Sequence, residues 1–188
     1  VGTTMMTGKP MDVRVRFRIA DGSYRWMRSQ SFPRRNDTGE IIQWYGYTED
    51  IHDLVLQEND VRWRAEHDAL TGLPNRTLFN QRLDVAIDEA GRDFTRAGLM
   101  MLDLDHFKEV NDLFGHDAGD TLLKRFSEIL QSQIPEDATI ARLGGDEFAV
   151  LIPNMDSPDA LQRLAERIFQ ELKTPINLDW RDVDCRSS

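Results

Sequence analysis

The sequence predicts an α/β (α+β) fold in which helices flank a mixed central sheet, preceded by a small three-stranded antiparallel sheet and a linker helix. Three observations predict it. Residues 11–49 alternate apolar and polar side chains with a period of two. Residues 53–67 are polar with few helix breakers. From residue 76 onward, segments with helical spacing interleave with short apolar runs, as in a domain that packs helices on a sheet. The expected boundaries are therefore 1–52, 53–67 and 68–188.

The elements follow in order. Val13, Val15, Phe17 and Ile19 alternate with Arg14, Arg16 and Arg18, the signature of a half-buried strand. Asp21-Gly22 supplies a hairpin turn, Tyr24, Trp26 and Phe32 share one parity of the second strand, and Asn36 to Gly39 turns into a third strand over Ile41 to Tyr47. In the connector, Leu56, Trp63 and Leu70 are seven apart, which suits a dimerising seam, although Asn59, Asp60, Glu66 and His67 between them suit a solvated connector equally. Asn75 caps a helix whose inner face is Phe79, Leu83, Ala86, Ile87 and Ala90. Residues 97–105 read as a buried strand ending in carboxylates. Leu122, Leu123, Phe126, Ile129 and Leu130 form the inner face of the next helix, and residues 138–143 and 147–153 are strands joined by Gly144-Gly145-Asp146. Ser157-Pro158 opens a last helix with Leu161, Leu164, Ala165, Ile168 and Leu172 inward, and a final strand begins near Ile176.

Charge narrows the function. Among 188 residues, 33 are acidic and 23 basic, a net charge of -10, which argues against a protein that coats nucleic acid. Residues 1–52 carry 8 basic and 6 acidic side chains, so the acidity belongs to the remainder, which needs a metal ion to bind phosphates. The single Cys185 can form neither an intrachain disulfide nor a thiolate zinc site and suits a reducing cytoplasm. No apolar run approaches the roughly 20 residues of a membrane span, so no membrane contact is expected within this stretch. Val1 rather than Met at the start suggests a piece of a longer protein.

Familiar motifs fail on spacing. Gly2 to Gly8-Lys9 is one residue too long for a phosphate-binding P-loop and runs into Pro10. A calcium loop from Asp103 would place Phe107 at a ligand position and Lys108 where glycine is needed. What remains is two acidic clusters, Asp103-Leu104-Asp105 at a strand end and Asp146-Glu147 on the glycine hairpin. Clustered carboxylates repel one another and lose hydration, which a hard cation such as Mg²⁺ or Mn²⁺ relieves. Read alone, an aspartate at a strand end is more often a cap or a solvated side chain. Two acidic pairs flanking residues 106–120 shift that balance.

The segments DALTGLPNR (68–76), DLDHFKEVNDLFGHDAGD (103–120) and RLGGDEF (142–148) closely resemble the GGDEF domain of diguanylate cyclases, from about residue 66 to the end. FRIADGSYRWMRS (17–29) and NDTGEIIQWYGYTEDI (36–51) resemble the C-terminal half of a PAS sensor domain. The resemblance implies a nucleotidyl-cyclase-like fold and condensation of two GTP molecules into cyclic di-GMP and two pyrophosphates, in a homodimer formed through the GGDEF domains and the linker helix under PAS control. It implies Mg²⁺ (or Mn²⁺) on Asp103, Asp146, Glu147 and the Leu104 carbonyl, with Asp146 or its metal-bound equivalent as general base and Glu147 beside it. Phe107 and Lys108 would meet the phosphates through a helix start and an ammonium. Asn111 and Asp120 would read guanine, and Gly144 and Gly145 would let the backbone approach the nucleotide. His116 matches a position near the nucleotide, as a substrate contact or as loop packing, and Asp120 could also serve as a helix N-cap. His52, His67 and His106 are expected at the surface.

Two departures carry expectations of their own. The family's product-inhibition motif, Arg-x-x-Asp, is replaced by Pro135-Glu136-Asp137-Ala138, so no feedback is expected there. The chain also stops at Ser188, where the resemblance implies a further strand and a closing helix with basic residues, so poor folding or slow turnover is expected of this piece. The alternative is a catalytically silent GTP-binding module that regulates a downstream domain; relatives of that kind usually lose a hairpin carboxylate, whereas Gly144 to Phe148 is unbroken here.

Overall fold

The structure, a computed structural model, describes residues 8–155 and 157–172 and the strand pairs 176–177 and 182–183. The chain divides into two units, Val1–Arg62 and Trp63–Ser188.

In the first unit, β1 (Met11–Arg18), β2 (Tyr24–Arg35) and β3 (Ile41–Asp50) form an antiparallel meander in the order β1-β2-β3. The turn at Asp21-Gly22 closes with the Gly22 amide donating to the Ile19 carbonyl at 2.9 Å. Arg14 lies opposite Arg28 in the β1–β2 register. Arg28 instead forks onto Asp12 at 2.6 and 2.9 Å. That hydrogen-bonded pairing, joined by Gln30, holds the Asp12 carboxyl down at about 2. Phe32 and Tyr45 stack across β2–β3 at 5.7 Å. Among the described residues of this unit only Ile51 is a buried hydrophobic, while Phe17, Tyr24, Tyr45 and Tyr47 are at least half exposed.

Helix α1 (His52–Glu66) follows at once, with the Asp50 carboxylate accepting the His52 amide at 2.9 Å. None of its residues is buried. The seven-residue spacing does not continue as a helical seam, because α1 ends at Glu66 and Leu70 lies in the loop beyond it, packed against the core of the second unit. Residues 67–75 fold into a tight loop instead, with Asp68 donating its amide to the Leu73 carbonyl at 2.8 Å and Gly72 donating to the Asp68 carbonyl at 2.9 Å.

Helix α2 (Arg76–Asp93) starts as expected at Asn75, whose side-chain oxygen accepts the amides of Thr77 and Leu78. Removing that acceptor leaves two amide donors unsatisfied, so Asn75→Ala should cost about 1 kcal/mol of stability in denaturant unfolding. Phe79 and Ala86 are buried on the inner face, but Ile87 is exposed, because the helix covers only part of the sheet.

The central sheet consists of β4 (Gly98–Asp103), β5 (Thr139–Gly144) and β6 (Glu147–Ile152) in the order β4-β6-β5, and both pairings are antiparallel. Between β4 and β5 run α3 (Phe107–Phe114) and α4 (His116–Gln133); after β6 comes α5 (Pro158–Glu171). Leu122, Leu123, Phe126 and Leu130 of α4 and Leu164 and Ile168 of α5 cover one sheet face, on Leu102, Phe148 and Val150. Phe126 meets Phe148 edge to face at 4.8 Å. Phe79 and Ala86 of α2 cover the other face at Ala141, Ala149 and Leu151. Strand β4 departs from the buried strand expected. Among the described residues it pairs only with β6, and α2 sits over β5 and β6, so Leu99 and Met101 remain 45% and 54% exposed. The pairs Ile176–Asn177 (β7) and Asp182–Val183 (β8) form a two-stranded ribbon, which places a strand at Ile176 as read from the sequence.

Candidate active site

The two acidic clusters come together through sheet register. Asp103, the last residue of β4, is the antiparallel partner of Glu147, the first residue of β6, and Asp146 adjoins it in the β5–β6 turn. The Asp103 carboxyl, although exposed, is held above the usual aspartate range by slight desolvation, then by the negative charges of Asp146, Glu147 and Asp105. Because its folded value is raised, the folded protein binds this proton more tightly than the unfolded chain. Its contribution therefore weakens as pH rises through the window between the ordinary and the raised value. At neutral pH the ionised cluster opposes folding, so Asp103→Asn should raise the thermal midpoint in the presence of EDTA, as read by calorimetry.

The donor set is all oxygen and negative, which fits a hard divalent cation. Among the described residues no three His, Cys, Asp or Glu side chains are grouped to hold a metal by themselves. Leu104 is buried, and its carbonyl accepts the Phe107 amide at 3.3 Å, leaving a lone pair of that oxygen open.

The turn itself is built by residues whose part the sequence reading did not assign. Gly145 sits at φ 57° and Gly144 at φ 146°, backbone that favours glycine. Arg142 donates from Nε and Nη2 to the Gly145 carbonyl at 2.9 and 2.7 Å, and from Nη1 to both Asp68 oxygens at 3.0 and 3.1 Å. Burial pushes the Asp68 carboxyl up, but hydrogen bonds from Thr71 and Arg142 outweigh it and hold the group below the usual aspartate range. Arg76 donates to the Leu143 carbonyl at 3.2 Å and to Glu147 at 3.0 Å. Two arginines thus tie the hairpin to residues 68–76, Arg142 reaching out from β5 to Asp68 and Arg76 reaching in from the start of α2. The signal was present, since Arg142 interrupts an apolar strand and therefore needs a buried anion, but nothing in the linear order points to Asp68, 74 residues away.

The remaining candidates lie on α3 and α4. His106, at φ 62°, turns the chain from β4 into α3, and its ring pairs with Glu109 at 2.8 Å at the surface. Phe107 and Lys108 open α3, with Phe107 half-buried on the core and Lys108 exposed. Asn111 is half-buried near the end of α3. His116 and Asp120 are exposed on the first two turns of α4. Asp120 is not an N-cap, because α4 begins at His116 with Gly115 at the cap. His52 and His67 are half-buried rather than at the surface. His52 accepts the Trp26 amide at 3.4 Å, and His67 stacks on Trp63 at 4.9 Å.

Comparison with known proteins identifies the family. The family described as "Diguanylate cyclase, GGDEF domain" matches residues 65–188, and the "PAS fold" family matches residues 2–48. The diguanylate cyclase TpbB of Pseudomonas aeruginosa is 44% identical over 172 residues, covering 85% of this chain and 39% of TpbB. A solved structure of the GGDEF domain of that protein superposes with a TM-score of 0.63 at 40% identity, covering 65% of this chain and 72% of the other. NbdA, a cyclic di-GMP phosphodiesterase of the same organism, is 42% identical over 133 residues, covering 71% of this chain and 17% of NbdA. The chain thus spans well under half the length of these curated relatives.

Proposed function

Because the chain belongs to the GGDEF family of diguanylate cyclases, we propose that it condenses two GTP molecules into cyclic di-GMP, releasing two pyrophosphates, in a homodimer whose subunits each hold one GTP. The observation that carries this reading is the register that sets Asp103 opposite Glu147 with Asp146 alongside.

In this reading Asp103, Asp146 and Glu147, with the Leu104 carbonyl, hold Mg²⁺ or Mn²⁺. Such an ion neutralises charge building on the α-phosphate and pyrophosphate and makes the ribose 3′-hydroxyl more acidic. Asp146 takes the 3′-hydroxyl proton. The choice follows from its surroundings: Arg76 engages Glu147, whereas no hydrogen bond or ion pair engages Asp146 among the described residues. The 3′-oxygen of one GTP then bonds to the α-phosphorus of the other as the bond to pyrophosphate breaks, and the step repeats to close the ring. Lys108 and the first turn of α3 face the phosphates, and Gly144 and Gly145 leave room for the nucleotide to approach. Asp120 accepts from the guanine N1–H and 2-amino group and Asn111 donates to O6 or N3, while His116 lines the nucleotide. Adenine presents an acceptor at N1 and would leave Asp120 facing a lone pair, so the site rejects it.

No helix of the described residues is long and apolar enough to cross a membrane, and a GTP substrate suits a reaction in the cytoplasm. The PAS part, through α1, sets the distance or angle between two catalytic domains. The absence of arginine at Pro135 to Ala138 removes feedback through that site; inhibition by low micromolar cyclic di-GMP that survives substitution of Asn111 and Asp120 would count against this. A second reading, a silent GTP-binding module controlling a downstream domain, draws on the match to NbdA. The intact hairpin carboxylates favour the enzyme. Incubation with GTP and Mg²⁺ should yield cyclic di-GMP and pyrophosphate in a 1:2 ratio by chromatography. Bound GTP with no detectable product from the dimer even after prolonged incubation would select the second reading.

A further inference from the structure

Gly119 stands inside α4, where the backbone is ordinary helix and positive φ gives no reason for a glycine. At such a position glycine costs about 1 kcal/mol relative to alanine. Space supplies the reason. A Cβ on Gly119 would lie 2.1 Å from Asn111 Oδ1, 3.0 Å from Asn111 Cγ and 3.2 Å from Phe107 Cε2, against 3.4–4 Å for ordinary contact. The neighbouring Gly115, at φ 86° with nothing within 4 Å of its would-be Cβ, is a glycine for conformation instead.

We propose that Gly119 is a specificity-positioning residue: its missing side chain is the seat that holds the Asn111 carboxamide of α3 at the distance from Asp120 needed to read guanine. The proposal rests on the reading of Asn111 and Asp120 as the base-recognising pair. Gly119 is covalently next to Asp120 and in contact with Asn111, so one position couples the two readers. With a methyl group there, the atom that must yield is the far end of the Asn111 side chain and not backbone. The shift exceeds 1 Å, more than a hydrogen bond to a fixed base tolerates. The consequence is a helix no less stable than before, with a misplaced amide.

The test uses 3′-deoxy-GTP with Mg²⁺, which lacks the attacking hydroxyl and so reports binding without turnover. Calorimetric affinities and thermal midpoints would be measured for the wild type, Gly119→Ala, Asn111→Ala and the double variant. Loss of a polar contact to the base predicts about a tenfold to hundredfold weaker affinity for each single variant. The double variant should bind no more weakly than Asn111→Ala, because the displaced group is gone. The midpoint of Gly119→Ala should equal or exceed that of the wild type. Wild-type affinity in Gly119→Ala alongside a loss in Asn111→Ala would overturn the positioning role alone. So would losses that multiply in the double variant, or a lowered midpoint of Gly119→Ala. Unchanged affinity in Asn111→Ala would overturn the base-reading assignment itself, and the positioning role with it.

Discussion

Asp146→Asn is expected to lower the rate of cyclic di-GMP formation about a thousandfold while leaving the fold intact. The carboxamide keeps the size of the side chain but can neither accept the 3′-hydroxyl proton nor contribute a charge to the cation site, and each of these roles is worth orders of magnitude in rate. Asp146 lies in a turn and carries no hydrogen bond among the described residues, so its replacement breaks no structural contact. Its negative charge also repels Asp103, and the thermal midpoint without metal should hold or rise slightly. The proposed guanine readers, Asn111 and Asp120, lie on α3 and α4 away from this turn, so 3′-deoxy-GTP should still bind. Product formation within tenfold of the wild type would remove Asp146 from the chemistry and leave the acidic hairpin without its assigned role.

Arg142→Ala should affect both fold and turnover. The guanidinium is 12% exposed and its partner Asp68 24% exposed, so this ion pair is mostly desolvated. Truncation leaves a half-buried carboxylate held only by Thr71 and takes two donors from the Gly145 carbonyl. Breaking such a pair costs about 3 kcal/mol, near the low end for buried pairs because some water reaches it. The pH dependence identifies the cause. Asp68 has a depressed folded value, so its stabilisation is present above the ordinary aspartate value and is lost as pH falls through the folded one. The gap in unfolding free energy between wild type and Arg142→Ala should therefore be largest at neutral pH and narrow below about pH 4. A gap that stays constant into acid would mean that lost packing rather than lost charge is responsible. Turnover should fall as well, through the turnover number more than through GTP affinity, because the arginine steadies the turn that carries Asp146.

The helices were legible wherever apolar spacing and a cap coincided. Asn75 with Phe79 and Ala86, and the Leu122 to Leu130 face, lie as the spacing predicts because both are local properties of a 3.6-residue period. Strand β4 was misread as wholly buried because an apolar run records the character of side chains, not whether a neighbouring strand covers them. Leu70 continued a heptad on paper, but the 67–75 loop hydrogen-bonds back on itself and ends the helix first. Asp120 looked like an N-cap because the start of α4 is set by the turn at Gly115, seven residues before the apolar pattern begins at Leu122.

The order of residues by itself determined which side chains are available: an acidic glycine hairpin and a second acidic strand end, with Asn111 and Asp120 assigned to guanine only through the family resemblance. Only the tertiary structure decided how those groups meet. Antiparallel register placed Asp103 against Glu147, Arg142 reached back to Asp68, and Gly119 left the space that Asn111 occupies. Each is a contact between segments far apart in the chain or on different helices, set by sheet pairing and close packing rather than by any local preference, and so absent from a linear reading.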